Sequence, residues 1–159
     1  MDEIKQHYLY PAALFAEKSP HVVSTILGSC VAVCLYDPKT NQGGINHYML
    51  PLWNGQGLAS PKYGNIAIEK LIERMLALGS QKSNLQAKVF GGGEVIETNV
   101  ASFQIGERNI KIALEILQEH KIPIVAKSVG GKLGRKIEFT TYTGEVRQKY
   151  IQKQQNQVK

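Results

Sequence analysis

Two short apolar runs joined by a turn constrain this chain more than anything else in it. Val31-Ala32-Val33-Cys34-Leu35-Tyr36 is rich in β-branched and aromatic side chains and closes on Asp37-Pro38, the pattern of a buried strand rather than a helix. Asp37-Pro38-Lys39-Thr40 suits a type I turn, with Asp bonding locally at the first position and Pro pre-setting φ at the second. Ile45 to Leu50 is apolar again and stops at Pro51, so the spacing predicts an antiparallel hairpin. With Pro38 and Lys39 as the two turn residues, Cys30 lies across from His47 on one face of the sheet, the Cβ atoms ~4.5–5.5 Å apart. A longer loop over Thr40 to Gly43, or a bulge, shifts that register by one and leaves a diagonal pair within side-chain reach.

A base at that distance is what a thiol needs. Near its free pKa of ~8.5 a cysteine is mostly protonated at neutral pH, and a neighbouring imidazole or imidazolium favours the thiolate. Gly28-Ser29 lets the backbone turn sharply just before Cys30, and main-chain N–H groups there could face the oxyanion of a tetrahedral intermediate. Spacing alone does not separate this from a plainer reading, in which Cys30 is a small buried hydrophobe and His47 a hydrogen-bonded strand histidine.

A wider set of motifs carries a resemblance. Leu27-Gly28-Ser29-Cys30-Val31-Ala32-Val33, then Asp37, Gly43-Gly44, His47 and Met49-Leu50-Pro51, resembles the active-site region of the CheD family, the chemoreceptor glutamine deamidases of bacterial chemotaxis. The likeness continues through Lys88-Val89-Phe90-Gly91-Gly92, Ile105-Gly106-Glu107-Arg108-Asn109, Val129-Gly130-Gly131 and Gly134-Arg135-Lys136-Ile137, and so spans nearly the whole chain in order. It implies that Cys30 is the nucleophile and His47 the general base. The family's third member is a hydroxyl residue six positions before the cysteine, which is Ser24 here, with Thr25 beside it as the fallback for orienting His47.

Net charge is +6, which invites a nucleic-acid reading, but the charge is not spread as such a face requires. Arg147, Lys149, Lys153 and Lys159 follow the last acidic residue, Glu145, while residues 1–146 hold 15 basic and 13 acidic residues. A short basic tail is not an RNA-binding surface. Two cysteines with no signal-peptide pattern argue for a reducing, cytoplasmic setting, and no stretch approaches the ~18 apolar residues of a membrane span. Cys30 and Cys34 lie ~13 Å apart on an extended strand, too far for a disulfide, and Cys34 is expected in the core.

The remainder predicts one domain over 1–151, with a polar tail over 152–159 read as disordered. Pro11 confines the lead-in to a short strand or irregular segment, and Val22 to Leu27 is a strand carrying Ser24. Leu52 to Tyr63 is a glycine-rich loop whose Trp53 is either a substrate-side rim or an aromatic folded over the core edge. Ile68, Leu71, Ile72, Met75 and Leu76 mark one helix face over 65–78, with Gly79 as its C-cap. Ala87 to Phe90 is a strand leading into Gly91-Gly92-Gly93, where no P-loop spacing follows and the glycines serve close backbone approach. Gly106 opens a second helix, with Ile110, Ala113, Leu114 and Leu117 on one face; Arg108 and Asn109 fall in a polar first turn, where substrate contact is the alternative. Strands follow over 123–129, 135–142 and 146–151. Strands, helix, strand, helix and three strands make an α/β (α+β) domain with two main helices on a largely antiparallel sheet or sheet pair. The resemblance implies a layered α/β sandwich.

The expected activity is hydrolysis of glutamine side-chain amides on methyl-accepting chemoreceptors, on their cytoplasmic helices, with no cofactor and no metal. The same thiolate chemistry extends to glutamyl methyl esters. The resemblance also implies binding to a CheC-type phosphatase, which keeps a non-catalytic adaptor as the rival reading. A Cys–His amidase with another substrate is a second rival. A zinc site from Cys30, Cys34, His47 and His21 is a third, disfavoured because Cys-x3-Cys on one strand spreads its sulfurs.

Overall fold

The computed structural model describes residues 3–94 and 104–152; the tail expected over 152–159 lies outside them except for its first residue. Strands β1 (Lys5–Tyr8), β2 (Leu14–Ala16), β3 (His21–Leu27), β4 (Val31–Asp37) and β5 (Gln42–Asn46) come first. Helix α1 (Gly64–Ala77), a 3-10 turn at Lys82–Asn84, β6 (Gln86–Gly91), α2 (Ile105–Glu119), β7 (Ile124–Val129), β8 (Gly134–Thr140) and β9 (Val146–Ile151) complete it. The lead-in thus resolves into two short strands rather than one.

The strands form two sheets, one ordered β1-β3-β8-β9 and one ordered β2-β5-β4-β6-β7. Pairing is antiparallel except for β1 with β3 and β6 with β7. The strand predicted over Val31 to Tyr36 is buried on both faces and decides the layering, because successive side chains point to opposite faces. Val31, Val33 and Leu35 pack with Ile68, Leu71, Met75, Ala113 and Leu117 of the helices. Ala32 and Cys34 face the other way, into a second core with Val23 and Leu27 of β3 and Ile137 and Phe139 of β8. The result is three layers: the four-stranded sheet, the five-stranded sheet, and the helix pair. No described helix is long and apolar enough to cross a membrane.

Helix α1 buries Ile68, Leu71, Ile72 and Met75 as the spacing predicts, whereas Leu76 stays 41% exposed because it falls at the margin of the stripe. Its C-terminus closes on Gly79 at φ +109°, with Ser80 N–H donating to Met75 O at 3.1 Å, the bond pattern of a Schellman end.

Register is where the hairpin departs from expectation. Cys34 pairs with Ile45 and Asp37 with Gln42, so four residues, Pro38 to Asn41, form the loop. Lys39 N–H donates to Asp37 Oδ1 (2.8 Å) as the turn chemistry predicts. Asn41 then takes a left-handed φ of 55°, held by Tyr36 Oη–H donating to Asn41 Oδ1. The shift is two residues rather than one, and a period-2 strand keeps its faces under an even shift.

Candidate active site

Just beyond β5, Val31 and Tyr48 exchange both backbone hydrogen bonds, at 3.1 and 3.0 Å. In the same register Cys30 stands opposite Met49 and Ala32 opposite His47, so Cys30 and His47 are diagonal neighbours on the face turned toward β3. Diagonal pairs lie ~7–8 Å apart, within reach of a long or aromatic side chain. Cys30 is half-buried at the rim of the inter-sheet core, and His47 is buried.

The hydroxyl that meets His47 belongs to Thr25, not Ser24. In β3 the odd positions 21, 23, 25 and 27 are buried and point into the inter-sheet layer, while Ser24 projects to the other face. Thr25 is fully buried; its Oγ1 lies 2.6 Å from His47 Nδ1 and donates to Leu9 O at 2.7 Å. Those two bonds settle the tautomer. A threonine hydroxyl has one proton, and a backbone carbonyl can only accept, so Thr25 gives its proton to Leu9 and accepts from His47 Nδ1–H. The lone pair is therefore on Nε2, which is buried and has no hydrogen-bond partner among the described residues.

Burial favours the neutral form of both side chains. His47 is pushed down to about 4 by desolvation, and the Cys30 thiol is raised by burial, partly offset by its own backbone N–H. The imidazolium that could pre-form a thiolate is thus absent at neutral pH. What remains is a thiol and a free imidazole nitrogen, suited to proton transfer at the moment of attack.

The loop carrying Cys30 is fixed by its carbonyls. Gly92 N–H donates to Cys30 O (2.8 Å) and Gly93 N–H to Gly28 O (2.9 Å). Asn109 Nδ2 takes the carbonyl between them, Ser29 O, at 3.0 Å, and also Met49 O at 3.0 Å. Only glycine fits this strap: Gly91 has φ +107°, and a Cβ there would sit 2.2 Å from Cys30 O. In a trans peptide C=O and N–H point in opposite directions. With those carbonyls turned toward the strap and α2, the N–H groups of Ser29 and Cys30 point the other way, and neither donates to a backbone acceptor among the described residues.

Two contributors escape a sequence reading. Asn109, expected in a polar first turn, is fully buried, and Tyr48 Oη–H donates to its carbonyl. Arg135, 1% exposed, donates to Ser128 O, Ser128 Oγ and Gly130 O and lies 5.3 Å from the Tyr150 ring centroid. It anchors the 128–131 turn, whose Gly130 N–H donates to Gly91 O. Trp53 is half-buried, with Nε1–H donating to Gln56 O, and its loop is tied to α1 through Asn65. Cys34 is buried, its thiol raised by desolvation, and both cysteines are free. Among the described residues no three His, Cys, Asp or Glu side chains are grouped to share a metal ion.

Residues 49–150 match a family model described as CheD chemotactic sensory transduction. A probable chemoreceptor glutamine deamidase CheD of Sulfurimonas denitrificans is 52% identical over 152 residues, 95% of this chain and 97% of that protein. Proteins with the same description from Trichlorobacter lovleyi and Rhodospirillum rubrum are 51% and 41% identical, over 90% and 96% of this chain and 89% and 86% of their own length. The family model begins two residues after His47, but these alignments cover too much of the chain to omit Cys30 or His47.

Proposed function

The chain belongs to the CheD family, and on that premise we propose that it deamidates glutamine side chains on chemoreceptors, with Cys30 as nucleophile, His47 as general base and Thr25 orienting His47. Cys30 Sγ attacks the carboxamide carbon while its proton passes to His47 Nε2. The Ser29 and Cys30 N–H groups receive the oxyanion. His47 then returns the proton to the departing nitrogen, ammonia leaves, and a thioester remains. Water, deprotonated by the same Nε2, hydrolyses the thioester to glutamate and restores the thiol. Each residue ends where it began, and no step requires a further group.

The observation that carries this reading is the Thr25–His47 bond, which leaves Nε2 bare on the face that Cys30 shares. The relatives, described as probable chemoreceptor glutamine deamidases, supply the substrate class. A glutamyl methyl ester presents the same carbonyl with methanol as leaving group, so slower ester hydrolysis belongs to the same proposal. So do work in the cytoplasm, where receptor signalling helices would be met, and association with a CheC-type phosphatase.

The test incubates a cytoplasmic receptor fragment from the same organism with the protein and with Cys30→Ala, and reads amide-to-acid conversion by mass spectrometry. Conversion at defined glutamines with wild type alone is expected. Conversion undiminished in Cys30→Ala would remove Cys30 from the mechanism, and none by wild type across several receptors would favour the adaptor reading.

A further inference from the structure

We propose that Asn109 is a positioning residue that aims the Cys30 N–H at the developing oxyanion; the inference rests on the thiol mechanism above. The Ser29 carbonyl and the Cys30 N–H belong to one peptide plane, so whatever fixes one fixes the other. The neighbouring planes are held by main-chain donors, Gly93 on Gly28 O and Gly92 on Cys30 O. The middle plane is held by a side chain, Asn109 Nδ2. It follows a glycine, in a segment with no strand pairing of its own, so among the described residues Asn109 supplies the hydrogen bond that stops that plane from turning over.

The residue type fits the task. One amide nitrogen with two protons reaches two carbonyls, Ser29 O and Met49 O, tying the approach to Cys30 to the segment just after His47. Two acceptors facing it also fix which amide atom is nitrogen. Asn109 is itself seated from both sides: Tyr48 Oη–H holds its carbonyl, and α2 docks on the strap so tightly that a Cβ on Gly106 would lie 2.4 Å from Gly92 O. Aspartate has the same shape and loses both donors.

The proposal separates two reactions of the same thiol. With p-nitrophenyl acetate, an S–acetyl bond forms and the ester C–O bond breaks, p-nitrophenolate leaves, and the thiol proton goes to His47. That path passes through an oxyanion. With iodoacetamide, an S–C bond forms as iodide departs, the thiol proton again goes to His47, and no oxyanion arises. Asn109→Asp and Asn109→Ala are expected to lower Cys30 acylation about 100-fold, the size of losing one oxyanion donor, while alkylation stays within about threefold of wild type. Acylation and alkylation falling in parallel, or acylation within about threefold of wild type, would overturn the proposal. If neither Asn109 variant folds by circular dichroism, Tyr48→Phe decides by the same ratio: a selective loss of about fivefold is expected, and an unchanged ratio overturns it. Acylation by wild type without receptor deamidation would sink the assigned substrate and leave the Asn109 proposal standing. Equal acylation by Cys30→Ala would sink both.

Discussion

On the helix side of β4, Val31, Val33 and Leu35 are fully buried against apolar side chains, and the pattern needs nothing beyond volume and burial. On the opposite side the strand and the residue just before it bring Cys30, Ala32 and Cys34 toward β3, and there the layer contains Thr25 and His47, polar and almost fully buried. Their polar atoms bond to one another and to backbone, except where Nε2 is left bare. The two cysteines sharpen the contrast. Cys34, deep in the layer, is an inert core thiol, while Cys30, two pleat repeats nearer the rim, is half-exposed with N–H groups beside it. Position along one face, not residue type, separates packing from chemistry.

That separation can be broken from either side. Leu71→Ala removes a fully buried side chain from the helix-side core and is expected to cost about 2–5 kcal/mol in urea unfolding, while Cys30 alkylation in the folded protein stays at the wild-type rate. A change in thiol reactivity would show that the layers are coupled. On the other face Thr25→Val keeps the volume but loses the acceptor for Nδ1–H. It is expected to lower kcat about 10²-fold, within the range general base catalysis supplies, whereas Ser24→Ala stays within about twofold of wild type. The reverse order would restore Ser24 as the orienting residue.

Protons report the same asymmetry. With His47 at about 4 in the fold against 6.5 for an ordinary histidine, the unfolded chain binds a proton that the native protein does not. The stability this gives is complete above pH 6.5 and is lost as pH falls toward 4, up to about 3 kcal/mol; His47→Gln should flatten that limb in denaturant melts. The acid limb of kcat/KM is expected near pH 4 for the same reason, not near 6.5.

The strands and helices were legible because period-2 and period-3.6 patterns survive in this chain with turn residues between them. Gly91-Gly92-Gly93 was legible as a place of close approach, which the contact with Cys30 O bears out. The hairpin register was not, since it depends on Asn41 adopting a left-handed conformation that Asn tolerates but does not announce. Counting six positions back from Cys30 gave Ser24, while the alternation of β3 turns Thr25 inward. Asn109 and Arg135 were invisible as site supports because their partners are mostly carbonyls, which every residue has. Arg135→Met should cost roughly 1–2 kcal/mol by leaving those part-buried carbonyls without their donor.

The Thr25–His47–Cys30 arrangement is tested most directly by the ring nitrogens of His47, followed by 15N NMR from pH 7 to pH 4 in wild type and Thr25→Val. The account predicts Nδ1 protonated throughout and Nε2 bare at pH 7, taking its proton only near pH 4, and mixed tautomers at pH 7 once the hydroxyl is gone. A proton on Nε2 of the wild type at pH 7, or a midpoint near 6.5, would contradict it.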